Sequence, residues 1–393
     1  MAETPSPFLV FADDWGRHPS SCQHIIRRLL PRHPAVWVNT IGTRTPKLDR
    51  QTLRRGYGKV RQWFRGANGG AAEAPPEWLR VMNPRMWPWF SRPFDRRLNR
   101  ALLTRQLGPM VRALPEAPVA VTTLPVVADL MGRLPVRRWV YYCVDDFSQW
   151  PGLDGSILGR MEETVVRRAD VLIAAGENLR GRLGALGRHD TRLLPHGVDL
   201  DFWQRQTCDA PPTQLNGLER PLVLFWGVID RRMDASFLAR LTATMDGGTL
   251  VLAGPEQGPD PELRRLPRTV YLGPLPFCQL PALAREAAVL VMPYADLPVT
   301  RVMQPLKLKE YLATGLPVVA RDLPANREWA GALDLVSDPN SFTVAVRRRL
   351  ETGLPPGQQA ARARLASEGW DAKARQFSQW ALCDQPVLTG AGQ

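Results

Sequence analysis

The chain has 393 residues, 44% hydrophobic and 23% charged, an ordinary globular balance, and at about 150 residues per domain it predicts two domains. Its net charge is +13, and residues 1–100 hold 18 Lys and Arg against 7 Asp and Glu, so nearly all of the excess lies in the first quarter. No apolar run reaches the roughly 18 residues of a membrane span and the N-terminus lacks the pattern of a secretory signal, which excludes those classes and predicts a cytoplasmic protein.

Short apolar runs alternate with helix-length segments, the rhythm of strand-helix units forming parallel sheets with helices on both faces. The first strand is expected at Phe8 to Ala12. The loop DDWGRHPSSCQH that follows leads into a helix capped by Ser20 or Ser21, and its Asp14, Trp15, Arg17 and Ser21 can stack on or hydrogen-bond a polar ligand. Further strands are expected at Ala35 to Thr40, Trp78 to Met82, Val119 to Thr123, Trp139 to Val144 and Val171 to Ala175. Between the second and the fourth lie two basic-aromatic stretches, Arg54 to Arg65 and Arg85 to Arg97, in which Trp63, Phe64, Trp87, Trp89 and Phe90 accompany arginines. That composition suits an anionic membrane surface, or simply basic loops around packed aromatics. Nucleic acid is disfavoured because no recognised binding motif appears. Residues 66–76 read as a surface loop.

Residues 208–221, CDAPPTQLNGLERP, interrupt the rhythm and are read as a linker. The domains expected are residues 1–207 and 222–370, with a helix and tail at 371–393. The second strand series is expected at Leu222 to Trp226, Thr249 to Ala253, Val270 to Leu272, Val289 to Met292 and Leu316 to Val319, followed by helices at Phe342 to Glu351, Gln358 to Ala366 and Asp371 to Trp380. Five widely spaced cysteines without a C-x-x-C pair, and five histidines without a metal-binding spacing, predict no metal. The glycine patterns of dinucleotide and P-loop sites are also missing.

Ligands in parallel sheets bind outside the carboxyl ends of the strands. In the second half these ends carry Gly227 and Gly254, where backbone can approach a ligand closely, then Arg231 or Arg232 as a charged donor, and Tyr294. The stretch PLKLKEYLATGLPVVAR predicts a short helix stopped by Gly315 and Pro317 and running into a strand. Leu308 and Leu312 face inward, whereas Lys307, Glu310 and Thr314 share another side. Such a face can hold a phosphate through Lys307 while the Glu310 carboxylate accepts from ribose hydroxyls, although K-x-x-E is also an ordinary surface ion pair. In the first half, WVYYCVDDFSQWPGLD brings Asp145 and Asp146 to a strand end. Adjacent carboxylates on a strand point opposite ways, so one can serve as a base while the other caps the loop; a purely capping pair is the competing reading.

In order, LLPHGVDLDFW, VLFWGVIDRRMD, VYLGPLPFCQLPAL, VMPY and PLKLKEYLATGLPVVA resemble the C-terminal half of GT-B glycosyltransferases, over roughly residues 193–325. The resemblance is to bacterial capsule and exopolysaccharide sugar transferases of the family 4 type, with similarity to the xanthan glucuronosyltransferase. It implies an α/β fold of two doubly wound Rossmann-like domains facing across a cleft, with C-terminal helices. It also implies a metal-independent enzyme that takes a UDP- or GDP-sugar as donor and needs no bound cofactor. Lys307 would contact the diphosphate, Glu310 the ribose and Tyr294 the base region. Asp145 matches the proposed base, and Asp14, Trp15, Arg17 and Ser21 would meet the acceptor. Many members carry a second glutamate eight residues before Glu310; here Val302 stands there, and Thr300 or Arg301 is the expected substitute. The expected partners are the donor, a glycan or lipid-linked acceptor of cell-surface polysaccharide or glycolipid synthesis, and, through residues 50–100, the inner face of the cytoplasmic membrane. The alternatives are a nucleotide-sugar epimerase of the same fold and a non-catalytic scaffold.

Overall fold

The computed structural model describes residues 5–16, 20–39, 75–150, 153–205 and 210–383. Contacts divide the chain into one unit of Met1–Pro195 with Lys373–Gln393 and another of His196–Ala372. In the first unit β1 (Phe8–Ala12), β2 (Ala35–Asn39), β3 (Leu79–Met82), β4 (Val119–Thr122), β5 (Arg138–Cys143), β6 (Val171–Ala174) and β7 (Arg192–Leu193) form one sheet in the order β3-β2-β1-β4-β5-β6-β7. All its pairings are parallel. Every residue of β1 is fully buried, as expected of a central parallel strand covered on both faces, and this burial is why it reads as an unbroken apolar run.

The second unit repeats the plan. Its strands are β8 (Leu222–Trp226), β9 (Ile229–Asp230), β10 (Thr249–Ala253), β11 (Glu256–Gln257), β12 (Thr269–Gly273), β13 (Val289–Met292), β14 (Val318–Arg321) and β15 (Asp334–Val336). Six of them make a sheet ordered β12-β10-β8-β13-β14-β15, while β9 pairs with β11 alone. The order reverses between β8 and β13, and at such a switch point the loops after the two strands generally diverge and leave room for a ligand. β14 starts two residues later than the strand expected at Leu316 because the helix before it is closed by Gly315 in the left-handed region, φ 78°, with the Leu316 N–H donating to the Thr314 hydroxyl.

The stretch 208–221 is not where contacts separate the units. Trp203, 5% exposed, stacks on Trp226 at 5.3 Å, and Leu215 is buried in the same core, so apolar packing holds both sides of that stretch to the second unit. At the other end, the helix Trp370–Leu382 returns to the first unit. Phe377 is buried there beside Tyr142 at 6.1 Å, and Arg192 lies over Trp380. No helix among the described residues is long and apolar enough to cross a membrane.

Candidate functional site

In the second unit the carboxyl ends of β8 and β10 meet without side chains between them. Gly227 and Gly254 have φ of 148° and 140°, and a Cβ on Gly254 would overlap the Gly227 carbonyl. The ladder continues through this contact, since the Gly227 N–H donates to the Ala253 carbonyl (2.8 Å), Gly254 N–H to Gly273 (2.8 Å) and Ile229 N–H to Pro255 (2.9 Å). The bare rim is covered from the helix Leu306–Ala313. A Cβ built on Gly227 would come within 2.6 Å of both Cε and Nζ of Lys307, so the lysine stem lies across the space that glycine leaves. Lys307 is half-buried and has no ion-pair or hydrogen-bond partner among the described residues.

The same helix is seated by Tyr311, whose hydroxyl accepts from the Trp226 N–H (2.8 Å) and donates to the Trp226 carbonyl (3.0 Å). Leu308 and Leu312 are buried as their spacing requires. Glu310, 6% exposed, has its carboxyl pushed up to about 7 by burial, against which the Lys307 charge pulls. The Trp226 indole N–H pulls the same way without closing a hydrogen bond of normal geometry. A carboxyl poised near neutrality and an ammonium without a hydrogen bond stand one turn apart, the ammonium over Gly227 and the carboxyl beside Trp226.

The other expected residues divide into open and committed groups. Arg231 is exposed. Arg232 is buried, and its guanidinium grips Asp230 through Nε (3.0 Å) and a terminal nitrogen (2.8 Å), with Met303 Sδ at 3.4 Å. Of the two, only Arg231 has its side chain in solvent. Tyr294 is 2% exposed and meets Phe225 edge-on at 6.2 Å, which makes it part of the core and not an open stacking platform. The Thr300 hydroxyl is spent inside its own turn, donating to Ala295 or Leu297 carbonyls and accepting from the Leu297 N–H at 2.9 Å. Arg301 is exposed and pairs with Asp296 at 2.5 Å.

In the first unit Asp145 and Asp146 follow β5. Asp146 is buried: it accepts from the Ser148 N–H (3.0 Å) and hydroxyl (2.5 Å) and pairs with Arg182 at 3.1 Å. Arg182 also holds Glu162 (2.5 Å), which accepts from the Tyr141 hydroxyl at 2.7 Å. Asp146 thus has the capping role, and Asp145 is half-buried. After β1, Trp15 is 7% exposed, edge-on to Trp37 at 4.9 Å and covered by Arg27. Asp14 is half-buried, Ser21 is buried, Ser20 is the helix cap, and Arg17 lies outside the described residues. The group this loop brings inward is Asp13, which the sequence reading passed over. It accepts from Ser20 (2.9 Å) and Gln23 (2.7 Å), and burial lifts it to about 6 in spite of them. Its position directly after a central strand was the signal available.

Residues 220–352 match the family described as glycosyl transferases group 1. Over 176 residues the chain is 25% identical to a putative teichuronic acid biosynthesis glycosyltransferase, TuaH, of Bacillus subtilis, a match that covers 43% of this chain and 44% of the relative. The chain thus spans less than half of that relative's length. Among solved structures, sucrose-phosphate synthase from Thermosynechococcus elongatus superposes with a TM-score of 0.68 at 18% identity, covering 95% of this chain and 98% of that one. Anabaena HepE in complex with UDP and glucose gives 0.65 at 15% identity, with 95% and 98% covered. The Escherichia coli trehalose-6-phosphate protein bound with UDP-2-fluoro glucose gives 0.65 at 15%, with 97% and 100% covered. The fold is that of GT-B glycosyltransferases.

The raised Glu310 carboxyl makes stability depend on pH. The folded state keeps this proton up to about pH 7, whereas a free glutamate, at 4.5, has lost it; the folded state binds more protons in that window, so stability falls as pH rises through it, by at most about 3 kcal/mol. Glu310→Gln mimics the neutral acid, so its Tm relative to wild type should climb between pH 5 and 8. Asp13 is common to both proteins and cancels. A difference independent of pH would show that Glu310 does not titrate there.

Proposed function

We propose, from the match of residues 220–352 to the group 1 glycosyl transferases, that this chain is a glycosyltransferase moving a sugar from a UDP-sugar to a glycan or lipid-linked acceptor of cell-surface polysaccharide synthesis. The observation that carries the donor side is the Lys307 ammonium lying unpaired across the side-chain-free turn at Gly227. A diphosphate needs a fixed cation and close backbone approach, and the rim offers both. Ionised Glu310 would accept from the ribose hydroxyls, and the donor's own binding stabilises that ionised form. Arg231, exposed to solvent four residues after Gly227, is the second cation proposed for the leaving group. The bound UDP and UDP-sugar named for the neighbouring structures support a uridine nucleotide.

In the transfer, the acceptor oxygen bonds to the anomeric carbon as the bond from that carbon to the phosphate oxygen breaks. The nucleoside diphosphate leaves with the electron pair, Lys307 stabilises its charge, and Asp145 takes the acceptor proton. Asp145 is given this role on its match to the proposed base of the similar sugar transferases, and the Asp146 carboxylate is held by Ser148 and Arg182 in its capping position. The TuaH likeness supports the acceptor class, and the basic first quarter supports an anionic surface as its setting. On the helix Pro93–Arg112 the exposed positions include Phe94, Arg97, Ala101, Arg105 and Arg112, spaced along one face and free of acids, a pattern that suits the headgroup region of a bilayer. Residues 50–74 of the expected membrane stretch lie outside the described residues.

Three measurements test these assignments. In a thermal-shift panel of UDP, GDP, dTDP and CDP, UDP should raise Tm most, and Lys307→Ala should weaken its binding by at least about tenfold, the value of a charged hydrogen bond; no shift with any nucleotide defeats the donor site. Asp145→Asn should keep the UDP shift and lose transfer by a factor of about a hundred or more, and retained transfer would remove Asp145 from the mechanism. Vesicles containing phosphatidylglycerol should sediment the protein at low salt and release it at high salt, whereas recovery in the supernatant at both salts argues against the membrane.

A further inference from the structure

The two lysines of the helix Leu306–Ala313 lie two residues apart and so point to nearly opposite sides. Lys307 reaches the glycine rim. Lys309 is 2% exposed and donates to the His196 carbonyl (2.6 Å) and to Glu368 Oε2 (2.7 Å), with the Trp329 ring 5.8 Å away. His196 closes the circuit: its Nε2 stands 3.0 Å from the Gln304 carbonyl, and since a carbonyl only accepts, that nitrogen carries the proton. Gln304 immediately precedes Pro305 and the helix that bears Lys307. The segments that hold Lys309 are themselves joined. Val198 N–H donates to the Glu368 carbonyl at 2.9 Å, Val198 bridges Gly369, and a Cβ on Gly197 would come within 2.7 Å of the Trp370 ring. These are also the ends of the second unit, His196 being its first residue and Ala372 its last.

We propose that the clasp of Lys309, Glu368 and His196 is a positioning device: it locks the start of the helix so that Lys307 lies over Gly227 and Glu310 faces the same rim. Lys309 is then a positioning residue for nucleoside diphosphate binding, acting through Lys307 without touching the ligand. A buried ion pair is a poor way to gain stability, because desolvation offsets most of the attraction. Its worth lies in direction: an ammonium with two fixed acceptors allows one placement of its helix, where an apolar side chain would allow several. The Tyr311 hydroxyl fixes the far end of the same helix on Trp226, so the two contacts together leave it little freedom to shift along the sheet.

The inference rests on the donor reading above, and a double-mutant cycle separates the two. UDP affinity is measured by calorimetric titration, and stability by thermal melting, for wild type, Lys307→Ala, Lys309→Met and the double variant. Lys309→Met should weaken UDP binding about tenfold in the wild-type background and no more than about threefold in Lys307→Ala, while the fall in Tm is the same in both. A purely structural role would give equal affinity losses in the two backgrounds, and that result overturns the proposal, as does unchanged UDP affinity in a cooperatively melting Lys309→Met. Should Lys309→Met fail to fold, Glu368→Gln, which keeps an acceptor oxygen, takes its place in the same cycle. Failure of wild type to bind UDP or any other nucleoside diphosphate removes the donor reading, and this inference falls with it.

Discussion

The second unit is organised around one steric constraint, the contact between Gly227 and Gly254. A Cβ on Gly254 would overlap the Gly227 carbonyl and one on Gly227 would collide with the Lys307 stem, and both glycines adopt a φ that side chains disfavour. The ladder hydrogen bonds of β8, β10 and β12 therefore run on past the strand ends, and the rim above them presents peptide groups instead of side chains. A rim of that kind can approach phosphate but supplies no charge of its own. Charge has to come from elsewhere, and the helix Leu306–Ala313 is what delivers it.

That dependence explains why so many contacts converge on one eight-residue helix. Tyr311 ties it to the last residue of β8, Arg362 reaches its end by donating to the Leu312 carbonyl at 3.4 Å and to the Leu316 carbonyl just beyond it at 2.7 Å, and Lys309 anchors it to His196 and Glu368. Ion pairs elsewhere in the unit look similar on paper but differ in consequence. Arg301 and Asp296 are both in solvent, where water and salt screen a pair and it adds little to stability. The side chains of Lys309 and Glu368 are 3% and 21% exposed, and breaking a buried pair costs about 3–5 kcal/mol because it strands a charge. Burial, and not the number of pairs, tells which of them shapes the site.

Much of this was legible in the sequence because parallel strands covered on both faces must be apolar throughout. The runs at Phe8, Leu222, Thr249 and Val289 coincide with β1, β8, β10 and β13 to the residue. Glycine and proline punctuation located the helix stop at Gly315. The short strands β7, β9, β11 and β15 carry too few residues to show a period, and they escaped. The division of the chain depends on where Trp203 and Phe377 find their cores, a tertiary outcome that linker composition does not report. Arg231 and Arg232 are interchangeable as letters, and only the carboxylate of Asp230 decides which is buried. Thr300, Tyr294 and Trp15 had the right chemistry for ligand contact, but each is occupied by its own surroundings.

Val302 gains its meaning from that last point. Where a second glutamate is common, the hydroxyl at position 300 would be the natural replacement, yet it closes the turn at residues 295–300. Removing it would loosen the loop before it changed any ligand. Arg301 and Asp296 remain, paired and exposed. Discriminating one sugar hydroxyl from its epimer requires a buried polar group that is left unsatisfied by the wrong isomer, and a solvent-screened pair imposes little such penalty. On the donor reading, the nucleotide end is therefore bound by groups carried on a firmly seated helix, Lys307 and Glu310. The sugar end is met by groups that water can replace, so affinity should reside in the nucleoside diphosphate and selectivity among sugars should be modest.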